Sequence, residues 1–182
     1  MNEIWRQGYK ASSVKALSEK LGITRSSFYN AFGNREALFG EVLALYFSQA
    51  PDRRLADAPP DMSVKQLLTD TFRAVCKARS KDRETRGCLD INCVAELCAT
   101  NDELGPMLED AVLKSVARLE ALLGRGVANG ELDGGADTHA LALSLQNLLI
   151  GLNVLCKVVR QEADLWRVAR TTLHGLGLLK EN

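Results

Sequence analysis

The chain has 182 residues, 46% of them hydrophobic and 25% charged, and its formal net charge is zero; this length suffices for one domain of usual size or two small ones sharing a core. No stretch approaches the about 20 uninterrupted apolar residues of a membrane span, and residues 1–10 lack the apolar segment of a signal peptide. We therefore expect a cytoplasmic protein without a membrane partner, and the five cysteines, an odd number, favour a reducing compartment over a disulfide framework.

The zero net charge hides an uneven distribution along the chain. Residues 5–35 contain six basic residues against one acidic residue, so this segment carries +5 and the remainder carries −5. A compact basic segment on an acidic body is typical of a surface that faces phosphates, although the same charges would also suit an ordinary solvated face.

The residue types predict an all-α protein of about nine helices. Leu, Ala and Val dominate the hydrophobic residues and there are only four prolines, so the propensities favour helix over sheet. Only the short segment MNEIWRQ precedes the first Gly-Tyr, which predicts a first helix of about two turns. The next helix is predicted to begin at a cap formed by Ser12 or Ser13 and to stop at Gly22.

A further short helix follows this glycine at once. Thr24 is the expected N-cap, and Phe28 and Phe32 lie on one face at helical spacing. Four polar side chains fall on the sides and the far face: Ser26, Ser27, Tyr29 and Asn30. We therefore expect the two phenylalanines to hold the helix against the protein while the polar groups project from it.

The rest of the chain predicts longer helices joined by one clear linker. Asn34 caps a helix to about residue 49, residues 50–61 hold three of the four prolines, and further helices are expected at 63–80, 86–99 and 102–129. The last two helices, at about 137–160 and 163–179, carry more apolar surface than one small domain covers. This surplus predicts a homodimer through the last two helices, with an intramolecular core helix as the alternative.

Two short helices joined by a tight turn, with polar and basic groups on the second, form a helix-turn-helix whose second helix enters the DNA major groove. Residues 8–39 read GYKASSVKALSEKLGITRSSFYNAFGNREALF. This segment resembles the N-terminal signature of the tetracycline-repressor-like (TetR) family of bacterial transcriptional regulators. The shared features are a Gly-Tyr before the capping serine, a Leu-Gly-Ile-Thr turn, a Tyr-x-x-Phe and a basic residue three positions after that Phe.

Two segments of the remaining chain also resemble this family. Residues 125–152 resemble the Gly-Glu-Leu turn before the dimerising helix, and residues 86–97, RGCLDINCVAEL, resemble a sub-group with Gly-Cys-Leu-x-x-Asn at the start of its sixth helix. The resemblance implies a DNA-binding domain at residues 1–47 and a ligand-binding and dimerisation domain at residues 48–182. It implies a homodimeric repressor, not an enzyme, that needs no cofactor and leaves a palindromic double-stranded operator when a small-molecule effector binds.

The resemblance also implies roles for individual residues of the N-terminal domain. Four residues match positions that contact phosphates: Ser13, Thr24, Tyr29 and Arg35. Four others lie where base edges are read: Arg25, Ser26, Ser27 and Asn30. For each of these residues the alternative is an exposed polar side chain without a partner.

Polar residues on otherwise apolar helices are the candidates for binding the effector. Gln146 and Asn153 are seven residues apart and share one face of the penultimate helix, and Asn92, Cys93 and Glu96 lie on the predicted sixth helix. The amides of the penultimate helix would equally suit hydrogen bonds across a dimer interface, and the sequence does not separate these two interpretations.

The cysteines raise one alternative mechanism and the short first helix raises another. Cys88, Cys93 and Cys98 are five residues apart, about 140° per step, so they do not share a helix face and predict no metal site. Cys88 lies near a helix N-terminus and Arg86, which would lower its pKa and suit a redox or electrophile sensor; reduced core cysteines are the simpler interpretation. The shortened first helix would suit a helical ligand-binding dimer with weakened DNA binding.

Overall fold

A computed structural model describes residues 1–59 and 61–181, and these residues form nine α-helices and no strand. The predicted all-α fold is therefore confirmed. The helices are α1 Asn2–Gln7, α2 Val14–Leu21, α3 Arg25–Phe32, α4 Arg35–Gln49, α5 Val64–Lys81, α6 Leu89–Leu97, α7 Leu104–Ala128, α8 Thr138–Leu155 and α9 Glu162–Gly175. The linker after α4 contains a short 3-10 helix, Pro51–Leu55.

Side-chain caps set the starts of most of these helices. The side chains of Ser13, Thr24, Asn34 and Ser63 each accept a hydrogen bond from the backbone N–H three residues further on, at distances between 2.6 and 3.2 Å. Each bond satisfies one of the backbone donors that a helix leaves unpaired at its N-terminus. Ser13, not Ser12, is thus the cap of α2, because the Ser12 hydroxyl donates to the Gly8 carbonyl oxygen instead.

Three helices have an end that lies three or more residues inside the position predicted from the sequence. Helix α6 begins at Leu89 and not at residue 86, because Gly87 has a φ of +73° in the left-handed region. Helix α9 ends at Gly175, since Gly177 has a φ of +68° just beyond it. Helix α8 ends at Leu155, five residues before the predicted end, and no residue type at this point explains the stop.

The chain forms two compact units. The first contains residues 1–50 and 88–110, which include α1 to α4, α6 and the beginning of α7. Its interior consists of buried apolar side chains from all of these helices: Ile4, Leu17, Phe28, Phe39, Val42, Leu43, Leu89, Cys93, Leu97, Leu104 and Leu108. The short α1 contributes Ile4, and the Trp5 ring packs edge-on against Tyr46 at 5.1 Å. The domain boundary predicted between residues 47 and 48 stays a prediction.

The second unit contains the described residues of 51–87 and 111–181. Helix α5 packs against α8 and α9, and its Leu68 and Phe72 side chains are fully buried. Three large apolar side chains nevertheless remain exposed in the single chain: Leu143 and Val154 of α8, and Val158 just after this helix. By length and apolar composition alone α8 could cross a membrane, a test that core helices of soluble proteins also pass.

A carboxylate from outside the helix closes the N-terminus of α5. The Glu131 oxygens accept the backbone N–H groups of Val64 and Lys65 at 2.7 and 2.9 Å and also the Ser63 hydroxyl. Burial favours the protonated form of this carboxyl, but the hydrogen bonds from Ser63, Lys65 and Val64 outweigh it and lower its pKa. Glu131 therefore stabilises the folded chain in its ionised form.

Replacing Glu131 with glutamine is expected to lower the free energy of unfolding by about 1 kcal/mol at pH 7, because one backbone N–H then loses its acceptor. A lowered folded-state pKa gives a contribution that is present above the unfolded carboxyl pKa, about 4.3, and is lost as the pH falls through the folded value. Urea titrations at pH 7 and pH 3, with Glu41→Gln as an exposed control on α4, measure this difference. A difference from the wild type that is equal at both pH values would contradict this role.

Candidate nucleic-acid interface

Helices α2 and α3 pack against each other across a turn of three residues. Gly22 adopts a φ of +68° and a ψ of 29°, and its N–H bonds to the carbonyl oxygens of Ser18 and Glu19. Thr24 then caps α3 through the backbone N–H of Ser27 at 3.0 Å. A left-handed glycine followed at once by a capping threonine produces the short angled connection of a helix-turn-helix.

The two faces of α3 differ sharply in exposure. Phe28 is fully buried and its ring lies 5.2 Å from that of Phe32, whereas Tyr29 is 51% exposed. The four residues that the sequence assigns to base reading are all exposed: Arg25, Ser26, Ser27 and Asn30. The aromatic side of this short helix holds it in the first unit, and its polar side is accessible along the whole length.

The capping hydroxyls on this surface already have intramolecular partners. Ser13 and Thr24 each accept a backbone N–H, and the Thr24 and Ser27 hydroxyl oxygens lie 2.9 Å apart, so one donates to the other. All three residues are exposed. The Ser13 hydroxyl keeps its hydrogen for an outside acceptor such as a phosphate oxygen, and so does whichever of the Thr24 and Ser27 hydroxyls accepts the bond between them.

Arg35 is half-buried and is held by Tyr9. One terminal nitrogen of the guanidinium donates to the Tyr9 carbonyl oxygen, and its central carbon lies 3.7 Å above the centre of the Tyr9 ring. The Tyr9 hydroxyl donates to Glu36 at 2.7 Å, and burial together with this bond raises the pKa of Tyr9. The same hydrogen bond lowers the pKa of Glu36. The guanidinium is thus oriented before any anion arrives.

Tyr9 was not among the functional residues predicted from the sequence, although the family signature includes it. It is 2% exposed and its ring also packs edge-on against Phe39, with centroids 5.0 Å apart. The sequence signal was the Gly-Tyr pair before the capping serine, which the resemblance used as a motif without giving the tyrosine a role.

The three effector candidates on α6 lie in different environments. Cys93 is fully buried, and burial raises its thiol pKa to about 12. Asn92 is partly exposed. The Glu96 carboxylate accepts the backbone N–H groups of Tyr9 at 3.0 Å and Lys10 at 2.7 Å. Glu96 therefore already has two main-chain partners within the first unit.

The two effector candidates on α8 are buried and hydrogen-bonded within the second unit. Gln146 and Asn153 are each 7% exposed. The Gln146 side-chain oxygen accepts from the Ser115 hydroxyl at 2.8 Å. The Asn153 oxygen accepts from Arg79, and its amide nitrogen donates to the Leu149 carbonyl oxygen at 2.9 Å. An effector that bound here would have to take over some of these bonds.

None of the five cysteines, all of which the structure describes, forms a disulfide, and four of them are buried. Cys88 stands at the N-cap position of α6, is 8% exposed, and accepts a hydrogen bond from the Tyr46 hydroxyl at 3.2 Å. Arg86, the expected activating cation, is bound to Asp82 at 3.1 Å. Among the residues that the structure describes, no group of three His, Cys, Asp or Glu side chains could hold a metal ion. A buried thiol is poorly placed for attack on an oxidant or electrophile.

Two family models match the chain. Residues 1–42 match the model described as bacterial regulatory proteins, tetR family, and residues 64–172 match the one described as tetracyclin repressor-like, C-terminal domain. The HTH-type transcriptional repressor ComR of Escherichia coli is 26% identical over 175 residues, covering 96% of this chain and 83% of its own. The HTH-type transcriptional regulator YezE of Bacillus subtilis is 29% identical over 160 residues, covering 83% and 78%.

A solved structure with bound DNA is also similar to this chain. It is a cysteine mutant of the TetR family transcriptional regulator CifR in complex with a 26-base-pair double-strand operator DNA. The two chains are 28% identical and superpose with a TM-score of 0.82, and the similarity covers 94% of this chain and 90% of that one. The similarity therefore extends beyond the helix-turn-helix to nearly the whole fold.

Proposed function

The chain belongs to the tetR family of bacterial regulatory proteins, and from this membership we propose that it is a homodimeric repressor that a small-molecule effector releases from a palindromic operator. Residues 1–47 bind DNA in this proposal, and residues 48–182 bind the effector and form the dimer. The role is regulatory, not enzymatic, and needs no cofactor. Its place is the cytoplasm, where the operator DNA lies.

The exposed polar face of α3 is the observation that carries the DNA-binding part of this proposal. Arg25 and Asn30 are suited by geometry to guanine and adenine edges, and Ser26 and Ser27 can hydrogen-bond to either kind of base. The Tyr29 hydroxyl and the pre-oriented Arg35 guanidinium supply contacts to phosphates. All of these side chains belong to residues 1–42, the segment that matches the model of bacterial regulatory proteins of the tetR family.

The exposed apolar side chains of the last two helices support the dimer. Leu143 and Val154 of α8, Val158 just after it and Val168 of α9 are between 41% and 77% exposed in the single chain. Covering such a surface with the same surface of a second copy is favourable by about 25 cal/mol per Å² of apolar area. A twofold axis through this interface gives two copies of α3, as a palindromic operator requires.

The effector is proposed to act by favouring the dimer geometry that fits DNA poorly, since a ligand shifts an equilibrium only through its different affinities for the two states. Gln146 and Asn153 are the polar groups buried on α8, and Asn92, Cys93 and Glu96 are the corresponding candidates on α6.

Salt-dependent binding to the DNA that flanks the protein's own gene tests the proposal. The logarithm of the binding constant is expected to fall linearly with the logarithm of salt concentration, with a slope of about −0.9 per phosphate neutralised. Arg25→Ala, on α3, is expected to weaken binding at least about tenfold. Arg83→Ala, which removes an exposed arginine outside the first unit, is the matched control. The proposal would be contradicted if the wild type and Arg25→Ala bound the flanking DNA equally weakly, and no more tightly than unrelated DNA.

A further inference from the structure

A carboxylate of α6 binds the turn between α1 and α2. The two Glu96 oxygens each accept one backbone N–H, from Tyr9 at 3.0 Å and from Lys10 at 2.7 Å. Tyr9 and Lys10 are 87 and 86 positions away from Glu96 in the sequence, so these bonds join the two chain segments of the first unit, residues 1–50 and 88–110. Hydrogen bonds from N–H groups to an ionised acceptor are roughly twice as strong as neutral ones.

The residue before Tyr9 shows how closely the carboxylate approaches. Gly8 has a φ of +83°, and a Cβ atom at this position would lie 2.8 Å from a Glu96 oxygen. That distance is shorter than any normal contact, and the backbone conformation itself disfavours other residues. Glycine at position 8 therefore allows both the turn and the approach of Glu96.

The turn that Glu96 holds is the one that orients Arg35. The Tyr9 carbonyl oxygen and ring both contact the guanidinium, and the Tyr9 hydroxyl is fixed by Glu36. If the backbone of Tyr9 shifts, the hydrogen-bond acceptor and the ring beneath the guanidinium shift with it. Glu96 thus influences the position of Arg35 indirectly, through the main chain of Tyr9.

We propose that Glu96 is a positioning residue for operator binding, which fixes the main chain of Tyr9 so that Arg35 is oriented toward a DNA phosphate. This inference rests on the proposed function and gives Glu96 a role that differs from effector binding. A carboxylate suits the task because it only accepts hydrogen bonds, and two N–H groups face it. Glutamine has nearly the same shape but turns an NH₂ group toward one of those donors.

The test compares operator binding by Glu96→Gln, Arg35→Ala and the double variant across a salt series. Glu96→Gln is expected to weaken binding about tenfold, the loss that one broken charge-assisted hydrogen bond can cause. It is also expected to flatten the salt dependence, as Arg35→Ala does, because a phosphate contact is lost. In the Arg35→Ala background the Glu96→Gln change is expected to add little, because the two residues act in series.

Gly8→Ala places a methyl group against the Glu96 carboxylate and so disturbs the same contact from the other side. It is a second variant in case Glu96→Gln does not fold, and it is expected to weaken operator binding as Glu96→Gln does. Glu41→Gln, an exposed carboxylate of α4, is the matched control. Unchanged affinity in both variants, or fully additive losses in the double variant, would overturn the inference while the wild type still binds DNA. Absence of wild-type operator binding would instead contradict the proposed function, and this inference with it.

Discussion

Replacing Tyr29 with alanine is expected to weaken operator binding about 10- to 100-fold while leaving the unfolding midpoint nearly unchanged. A neutral hydrogen bond contributes about 0.5–1.5 kcal/mol, and the dimer loses two of them, one in each half-site. The side chain is 51% exposed, so its removal costs little packing in the free protein. Fluorescence anisotropy with labelled operator DNA and thermal unfolding followed by circular dichroism measure the two effects.

Two further variants separate the parts of the Tyr29 side chain. Tyr29→Phe removes only the hydroxyl and is expected to show most of the loss if that group contacts a phosphate. The salt slope should stay constant in both variants, because no charge is removed. Phe47→Ala removes an exposed aromatic ring from α4 and serves as the control. Wild-type affinity in Tyr29→Ala would show that α3 does not bind through this residue.

Replacing the neighbouring Phe28 with alanine is expected to lower the free energy of unfolding of the first unit by about 3–5 kcal/mol, the usual range for a buried phenylalanine. The ring is fully buried and packs against Phe32 at 5.2 Å and edge-on to Tyr29 at 5.9 Å. Without it α3 loses its main anchor, so operator binding is expected to fall as well. Urea unfolding followed by Trp5 fluorescence, with Trp166 of the second unit replaced by Phe in all proteins compared, measures the loss in this unit.

Phe28→Leu keeps most of the buried volume and is expected to recover most of the stability, since volume-conserving exchanges usually cost less than about 1.5 kcal/mol. Phe32→Ala, at a partly exposed position of the same helix, should cost less than Phe28→Ala. An equal loss of stability in Phe28→Ala and Tyr29→Ala would contradict the division of α3 into a buried and an accessible side.

Features set by neighbours in the sequence could be predicted. The capping bonds of Ser13, Thr24 and Asn34 span three residues, and the two faces of α3 follow from the helical repeat alone. The aromatic spacing placed Phe28 inside and Tyr29 outside, as the structure confirms. Local chemistry was therefore sufficient for the helix-turn-helix, because little of its geometry depends on distant residues.

Features that join distant parts of the chain could not be predicted in the same way. The sequence marks Glu96 only as a polar residue on an apolar helix, which suited an effector ligand, whereas its contacts are main-chain groups 86 and 87 positions away. The start of α6 was placed too early because a glycine tolerates both helical and left-handed backbone, so the sequence alone does not show that Gly87 is left-handed. The Arg79 contact of Asn153 likewise depends on how α5 and α8 pack.

The exposed apolar side chains of α8 and of the residues just after it link the stability of this protein to its abundance. A dimer that buries Leu143, Val154 and Val158 gains stability by mass action, so its melting temperature rises with protein concentration. In a cell that makes few copies, a larger share of chains stands alone, and these chains offer the same side chains to proteases and chaperones. Low expression would then lower the dimer concentration in two ways: fewer chains are made, and the unpaired chains are degraded faster.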